Sequence, residues 1–391
     1  MATVTPGNAS RTHCWPCAIR GSCCTSTSWR DAVTDTGDTV YVIAEAGVNH
    51  DGDPARARAL IDVAADAGAD AVKFQTFVPA ALAAAGAARA AYQQRNLPGD
   101  DSQLDMLRRL ALDFETFRDL RTHCASRGID FLSSPFDTAS ADFLMDSLEL
   151  PVIKLGSGEL TNAPLLWRIM QRGTDLILST GMATLDEVIE ALGVCCLALD
   201  GVEPRSARQC RDAFDATRLQ GRVTLLHCTT EYPCPPDQVN LRAMETLQAH
   251  TGLAVGYSDH TDGIAVAIAA VARGARMIEK HFTLDRTLAG PDHAASLEPD
   301  RLVEMIAGIR VVSRALGSSD KAPTPIERDN AAVARKSLVA ATAIRKGEPF
   351  DADTLTTKRP GGGLAPLRYW SLLGTPAGRD YAADDPIGDP P

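Results

Sequence analysis

From about residue 38 the sequence alternates short β-rich runs with amphipathic helical patterns, and it does so eight times. The strand-like runs cover 41–46, 71–75, 130–134, 152–155, 176–179, 223–228, 254–258 and 277–281. Helical periodicity fills the gaps, as at 54–67, 115–126, 184–199, 239–250 and 263–272. Asp53 suits the cap of the first helix and Pro54 its first turn. Strands that alternate with helices form a parallel sheet, because parallel neighbours need a crossover. Eight such units close a (β/α)8 TIM barrel, which typically takes roughly 250 residues. Periodicity alone also allows an open doubly wound sheet, but no Gly-rich dinucleotide loop follows the first run.

The barrel pattern occupies 39–316 of the 391 residues. Residues 317–330, rich in Ser, Pro and charge, read as a linker, and 331–391 as a small β-rich module. The first 38 residues read as a disordered Ser/Thr-rich leader or a start-site artefact. They hold His13, Cys14, Cys17, Cys23 and Cys24; Cys-x2-Cys is half of a zinc motif, but the adjacent Cys23 and Cys24 form a poor second half. The other cysteines are scattered, several in apolar runs, and read as small buried hydrophobes of a reduced, cytoplasmic protein. No apolar run approaches the roughly 20 residues of a membrane span. A formal net charge of −11 argues against non-specific nucleic-acid binding, yet leaves room for a positive pocket. Of only seven lysines, Lys73, Lys154 and Lys280 lie in apolar strands, where each needs a partner or a cavity.

Barrel enzymes place their chemistry at the C-terminal strand ends. Here every strand end is polar. In order they offer Glu45 with the turn Gly47-Val48-Asn49-His50; Lys73 and Gln75; Ser133 and Ser134; Lys154, Ser157 and Glu159; and Ser179 and Thr180. The last three offer His227, Thr229, Thr230 and Tyr232; Ser258, Asp259 and His260; and Glu279, Lys280 and His281. Lys73 and Lys154, with hydroxyls from Ser134, Ser157, Ser179 and Ser258, suit a multiply charged phosphate- or carboxylate-bearing anion. The plainer alternative is that each lysine pairs with a barrel carboxylate. His260 and His281 end neighbouring strands, so both imidazoles can meet on one Mn²⁺, Mg²⁺, Co²⁺ or Zn²⁺ ion, which could polarise a carbonyl.

These motifs, from Ala44-Glu45-Ala46-Gly47-Val48-Asn49-His50 through Lys73-Phe74-Gln75-Thr76, Lys154-Leu155-Gly156-Ser157-Gly158-Glu159 and His227-Cys228-Thr229-Thr230-Glu231-Tyr232-Pro233 to Ser258-Asp259-His260-Thr261, Glu279-Lys280-His281-Phe282-Thr283 and Gly290-Pro291-Asp292-His293, resemble the sialic-acid synthase family. That family includes N-acetylneuraminate, legionaminate and pseudaminate synthases. Lys336-Ser337-Leu338-Val339-Ala340 and Lys358-Arg359-Pro360-Gly361 resemble its antifreeze-like (SAF) domain.

The resemblance implies a transferase that condenses phosphoenolpyruvate with an open-chain N-acetylmannosamine-type sugar, releasing phosphate by C–O cleavage. It implies that Lys73, Gln75, Ser134, Lys154, Ser157, Ser179 and Ser258 hold phosphoenolpyruvate and that Glu45 lies beside the reacting carbons. Glu159, Thr230, Tyr232 and Asp292 would face the sugar. His260 and His281 would hold a divalent metal, Mn²⁺ first, with Mg²⁺ or Co²⁺ as alternatives. Arg359 would reach the active site of a partner subunit in a domain-swapped homodimer. Departures bear on sugar choice: Thr230 stands where some relatives have Asn, Ser134 where many have Thr, Cys234 where Thr or Ala is common, and Pro98-Gly99-Asp100 where Pro-Gly-Asn occurs. N-acetylneuraminate synthase is the first reading and N,N'-diacetyllegionaminate synthase the alternative, towards which the Thr-Thr-Glu-Tyr-Pro run leans. The nearest rivals are synthases of heptulosonate or octulosonate phosphates, which would need an Arg-rich pocket for a sugar phosphate, and a non-catalytic carbohydrate- or ice-binding protein.

Overall fold

A computed structural model describes residues 39–97 and 101–388. The expected leader with its cysteine cluster and the Pro98–Asp100 loop lie outside the described residues. The chain divides into two compact units, Met1–Gly317 and Ser318–Pro391.

The first unit carries eight parallel strands: β1 (Tyr41–Gly47), β2 (Ala71–Thr76), β3 (Asp130–Pro135), β4 (Val152–Leu155), β5 (Asp175–Ser179), β6 (Val223–Cys228), β7 (Ala254–Asp259) and β8 (Met277–His281). Their order in the sheet is β3-β2-β1-β8-β7-β6-β5-β4, and β3 and β4 meet at the seam, so the ring is nearly closed. This is the expected (β/α)8 barrel, not an open sheet. The intervening helices start and stop on local signals. Asp53 accepts from Ala55 N at 2.8 Å ahead of Pro54–Asp66, and Thr184 and Glu187 form a capping box on Leu185–Leu199. The helix expected over 239–250 begins instead at Ala243, because Asn240 takes a left-handed conformation (φ 54°) that an α-helix cannot include. The expected linker also holds more order than its composition suggests: Pro325–Ala334 is a helix with a Thr324–Glu327 capping box, so its Pro, Thr and Glu are start signals.

Two apolar layers hold the ring. Outward-facing strand residues such as Val72, Phe74, Ile153 and Ile278 meet Leu60, Ile61, Leu120 and Ile306 of the helices. Each buried side chain of this size contributes about 1.5–3 kcal/mol. Inside, Tyr41, Ile43, Ala71, Leu132, Val152, Ile177, Leu226 and Met277 fill the ring. At the N-terminal strand ends, Tyr41 donates to Asp130 (2.6 Å), and Asp70 binds both Val42 N (2.7 Å) and Arg310 (2.6 Å). The barrel is plugged at that end, so chemistry belongs at the other.

The second unit has β9 (Ser337–Ala340) antiparallel to β10 (Leu355–Lys358), with Leu355 opposite Ala340 and Lys358 opposite Ser337. A small apolar core of Leu338, Ile344, Phe350, Leu372, Tyr381 and Ile387 supports it. Among the described residues no helix is long and apolar enough to cross a membrane.

Candidate active site

Side chains alternate along a strand, so the residue two positions beyond each interior apolar residue also faces inward. Counting on from Ile43, Ala71, Leu132, Val152, Ile177, Leu226 and Met277 gives Glu45, Lys73, Ser134, Lys154, Ser179, Cys228 and Glu279; Gly256 on β7 gives Ser258. A tier of polar groups therefore sits directly on the apolar floor. One step higher on the same faces come Gln75, His260 and His281.

The two lysines do find carboxylates, as the plainer reading held. Lys73 Nζ lies 2.6 Å from Glu45 and 3.6 Å from Glu279, with Ser134 Oγ at 3.3 Å; Lys154 Nζ lies 3.3 Å from Glu279. All four charged side chains are at most 5% exposed. The two acids are not equivalent. Burial pushes Glu45 up to about 7, and Lys73 only partly offsets this. Burial also raises Glu279, but Lys154, Lys73 and the Ser258 hydroxyl (2.8 Å) outweigh it and hold that carboxyl below its usual range. With Glu279 ionised and Glu45 partly protonated near neutrality, the cluster leans positive. Burial depresses Lys154, whereas the two carboxylates hold Lys73 above the usual lysine range.

Around the cluster are hydroxyls with unused capacity. Ser179 Oγ and Thr230 Oγ1 are buried without hydrogen-bond partners among the described residues. Ser157 Oγ accepts from Gly181 N at 3.0 Å and lies 3.0 Å from Cys228 Sγ. Buried polar groups left open in this way face a ligand or water in most proteins.

The two imidazoles meet as expected, with ring centroids 5.7 Å apart. His260 Nδ1 donates to the Thr229 carbonyl at 2.7 Å, which fixes its tautomer and leaves Nε2 an acceptor with only the Ser258 hydroxyl, 3.4 Å away, beside it. His281 Nδ1 is buried without a partner among the described residues. Burial lowers His260 to about 4 and carries His281 well below the usual imidazole value, so both rings are neutral, the form that ligates. Among the described residues no group of three or more His, Cys, Asp or Glu is placed to hold an ion. The protein therefore offers two imidazoles alone, and an ion held between them would have to draw its remaining ligands from substrate and water oxygens.

Tyr232 stacks on His260 (4.1 Å) and meets His281 edge-on (5.6 Å). Asp292, in the loop after β8, is 6% exposed and pushed up to about 6 by burial. Glu159 lies half-buried in the 3-10 turn Ser157–Glu159, accepting from Asn162 at 2.7 Å, and burial raises it too. Arg359 belongs to the second unit, exposed just beyond β10. Two residues named at the strand ends point elsewhere: His227 faces outward and bonds the Val239 carbonyl (2.7 Å), and Ser133 bonds Thr76 (2.7 Å). Lys280 also faces outward, paired with Asp259.

The sequence alone gives Glu279 only as a strand-end residue and does not single out Tyr92. Glu279 is the shared counter-ion of both lysines, and its spacing from His281 already placed it on the inner face. Tyr92, in the helix Ala91–Asn96, stacks on Tyr232 at 4.7 Å; the helix is tied down by Arg95 to Glu231 and by Asn96 to the Pro291 carbonyl (2.8 Å). No periodicity marks that segment.

The sequence matches the NeuB family over residues 60–321 and the SAF domain over 335–390. The chain belongs to the NeuB family. A relative of this NeuB-family barrel, the N,N'-diacetyllegionaminic acid synthase of Campylobacter jejuni subsp. jejuni, is 46% identical over 88% of this chain and 98% of its own. The N-acetylneuraminate-9-phosphate synthase of Homo sapiens is 34% identical over 81% and 82% of the two chains. Among solved structures, the N-acetylneuraminic acid synthetase of Leptospira borgpetersenii superposes with TM-score 0.61 and 29% identity over 75% of this chain and 90% of that one. The NeuB-family chain is an enzyme, a sialic-acid-type synthase with a SAF domain.

Proposed function

We propose that this synthase condenses phosphoenolpyruvate with the open-chain form of an N-acetylmannosamine-type sugar and releases phosphate. The observation that carries this reading is the meeting of two buried lysines, a set of open hydroxyls and two neutral imidazoles at one barrel mouth. Lys73 and Lys154 hold the phosphate and carboxylate of phosphoenolpyruvate, with Gln75, Ser134, Ser157, Ser179 and Ser258 as neutral donors. His260 and His281 would hold Mn²⁺, Mg²⁺ or Co²⁺, which when bound supplies Lewis-acid polarisation of the sugar aldehyde.

Carbon 3 of phosphoenolpyruvate attacks the aldehyde carbon, forming the new C–C bond and leaving positive charge at carbon 2. Water adds to carbon 2, one of its protons passing by way of Glu45 to the alkoxide left on the sugar, and the resulting tetrahedral phosphate collapses to the ketone as its C–O bond breaks and the remaining hydroxyl proton leaves with the phosphate. Glu45, raised to about 7, can exchange a proton with the attacking water at working pH. The fixed charges of Lys73, Lys154 and Glu279 act on the carbon 2 cation and on the departing phosphate. Glu159, Thr230, Tyr232 and Asp292 face the sugar, and Arg359 closes the site of a partner subunit in a swapped homodimer.

Of the two sugars, N-acetylmannosamine and 2,4-diacetamido-2,4,6-trideoxymannose, the second is the one that the 46% identity to a diacetyllegionaminic acid synthase supports. The test is phosphate release from phosphoenolpyruvate with each sugar and with arabinose 5-phosphate, with and without Mn²⁺. Turnover of either amino sugar supports the reading. Turnover of arabinose 5-phosphate alone, or of nothing, refutes it.

A further inference from the structure

Asp259 and Lys280 sit one residue before His260 and His281, so alternation turns them away from the barrel interior. They are register partners on β7 and β8, and both side chains are fully buried, with Nζ and Oδ2 2.8 Å apart. The contacts extend past the pair. Lys280 Nζ donates to the Thr261 carbonyl at 2.5 Å. Asp259 Oδ1 accepts from Thr261 N (2.9 Å), Thr261 Oγ1 (2.8 Å) and the Tyr257 hydroxyl (3.3 Å). The residues on both sides of His260 and the residue before His281 are thus tied into one buried knot across two strands. Among the described residues no side-chain hydrogen bond or ion pair joins Asp259, Thr261 or Lys280 to Lys73, Lys154, Glu45 or Glu279.

Desolvating two charges gains little stability over apolar side chains of the same volume. What such a pair fixes is geometry, here the height of one strand end against the next. Two imidazole nitrogens share one ion only if each comes within about 2 Å of it, so an error of about 0.5 Å in strand register disrupts the site.

We infer that Asp259 and Lys280 are a positioning pair that sets the spacing of the His260 and His281 imidazoles and so the affinity for a divalent cation. The inference rests on the metal reading above. The contact arrangement resembles the outer shell of known metal sites, except that it reaches the ligands through the backbone rather than through the ring nitrogens.

The test compares the full-length wild type with the double variant Asp259→Asn/Lys280→Met, which removes both charges at nearly constant volume and strands neither. Free Mn²⁺ is titrated by electron paramagnetic resonance. Phosphoenolpyruvate binding is measured separately by calorimetry without cation. The expected result is Mn²⁺ affinity weakened about 10- to 100-fold and phosphoenolpyruvate affinity weakened far less, because Ser258 and Glu279 adjoin the pair but Lys73 and Lys154 stand on other strands. Wild-type Mn²⁺ affinity in the double variant overturns the inference, as does equal loss of both ligands, which would mark general disorder. Should the double variant not fold, Thr261→Val removes one donor to Asp259; it is expected to weaken Mn²⁺ several-fold and spare phosphoenolpyruvate, and an unchanged Mn²⁺ titration overturns the inference. A wild-type protein that binds no Mn²⁺, Mg²⁺ or Co²⁺ overturns the metal reading itself. That failure is distinct, because it is seen without any variant.

Discussion

Gly181, in the turn after β5, gives the sharpest test of the anion pocket. A Cβ added there would lie 2.7 Å from Ser157 Oγ, 2.7 Å from Thr230 Oγ1 and 2.9 Å from Cys228 Sγ. All three atoms belong to short side chains at the mouth, and Ser157 is also bonded to Gly181 N. Gly181→Ala must therefore push Ser157 and Thr230 off their positions. Forcing a methyl group into a packed site costs about 1–3 kcal/mol. Because the backbone there has no left-handed strain and the displaced groups are hydroxyls rather than core, most of that cost should fall on ligand binding. At about 1.4 kcal/mol per tenfold, the KM for phosphoenolpyruvate is expected to rise roughly 5- to 100-fold. Gly158→Ala is the control, since a Cβ at Gly158 meets nothing within 4 Å. The assay is phosphate release against phosphoenolpyruvate concentration, with thermal denaturation of both variants alongside. An unchanged KM in Gly181→Ala, or an equal defect in Gly158→Ala, would refute the placement of the pocket.

Lys154→Met should cut kcat/KM at least about 100-fold and destabilise the fold, because Glu279 loses a buried partner; adding Glu279→Gln should restore thermal stability but not activity. Asp292 titrates higher when folded, so the native state binds the extra proton: its full stability is present below the unfolded value near 4 and is lost as pH rises through about 6. Asp292→Asn should therefore stabilise the protein by about 3 kcal/mol at pH 7.5, a gain that shrinks towards pH 4 in melting experiments, while sugar KM rises. Chelation should abolish phosphate release and Mn²⁺ restore it, but not in His260→Ala or His281→Ala. Mixing Arg359→Ala with Lys154→Met subunits should recover roughly a quarter of wild-type activity if the arginine serves the partner's site, and none if it serves its own.

The barrel was legible because its signals are short-range and repeated. Each strand is a β-rich run, and period two decides which of its residues face inward, so Glu45, Lys73, Lys154 and His281 could be placed before any coordinates. Partners chosen across the ring could not. That both lysines share Glu279 depends on closure of the ring, which no local pattern encodes. For Lys280 the apolar strand left a partner and a cavity equally open; only its register with Asp259 decides for the partner. Tyr92 was invisible because the contacts that give it meaning, Tyr232 and the Pro291 loop, lie far along the chain. The helix expected from residue 239 failed for a single-residue reason, the left-handed turn at Asn240.

The pairing of Lys73 and Lys154 with Glu45 and Glu279 makes the barrel mouth resemble a charged ion-exchange resin. Its cations arrive mostly neutralised by built-in counter-ions, so a singly charged salt ion gains little by entering. A ligand must offer several negative charges at once to displace them, as a phosphate ester with a carboxylate does. The same acids wait beside the lysines after reaction, ready to re-form their pairs. In the proposed reaction free phosphate, having lost the carboxylate that shared its grip, would then compete with neighbours that cannot diffuse away.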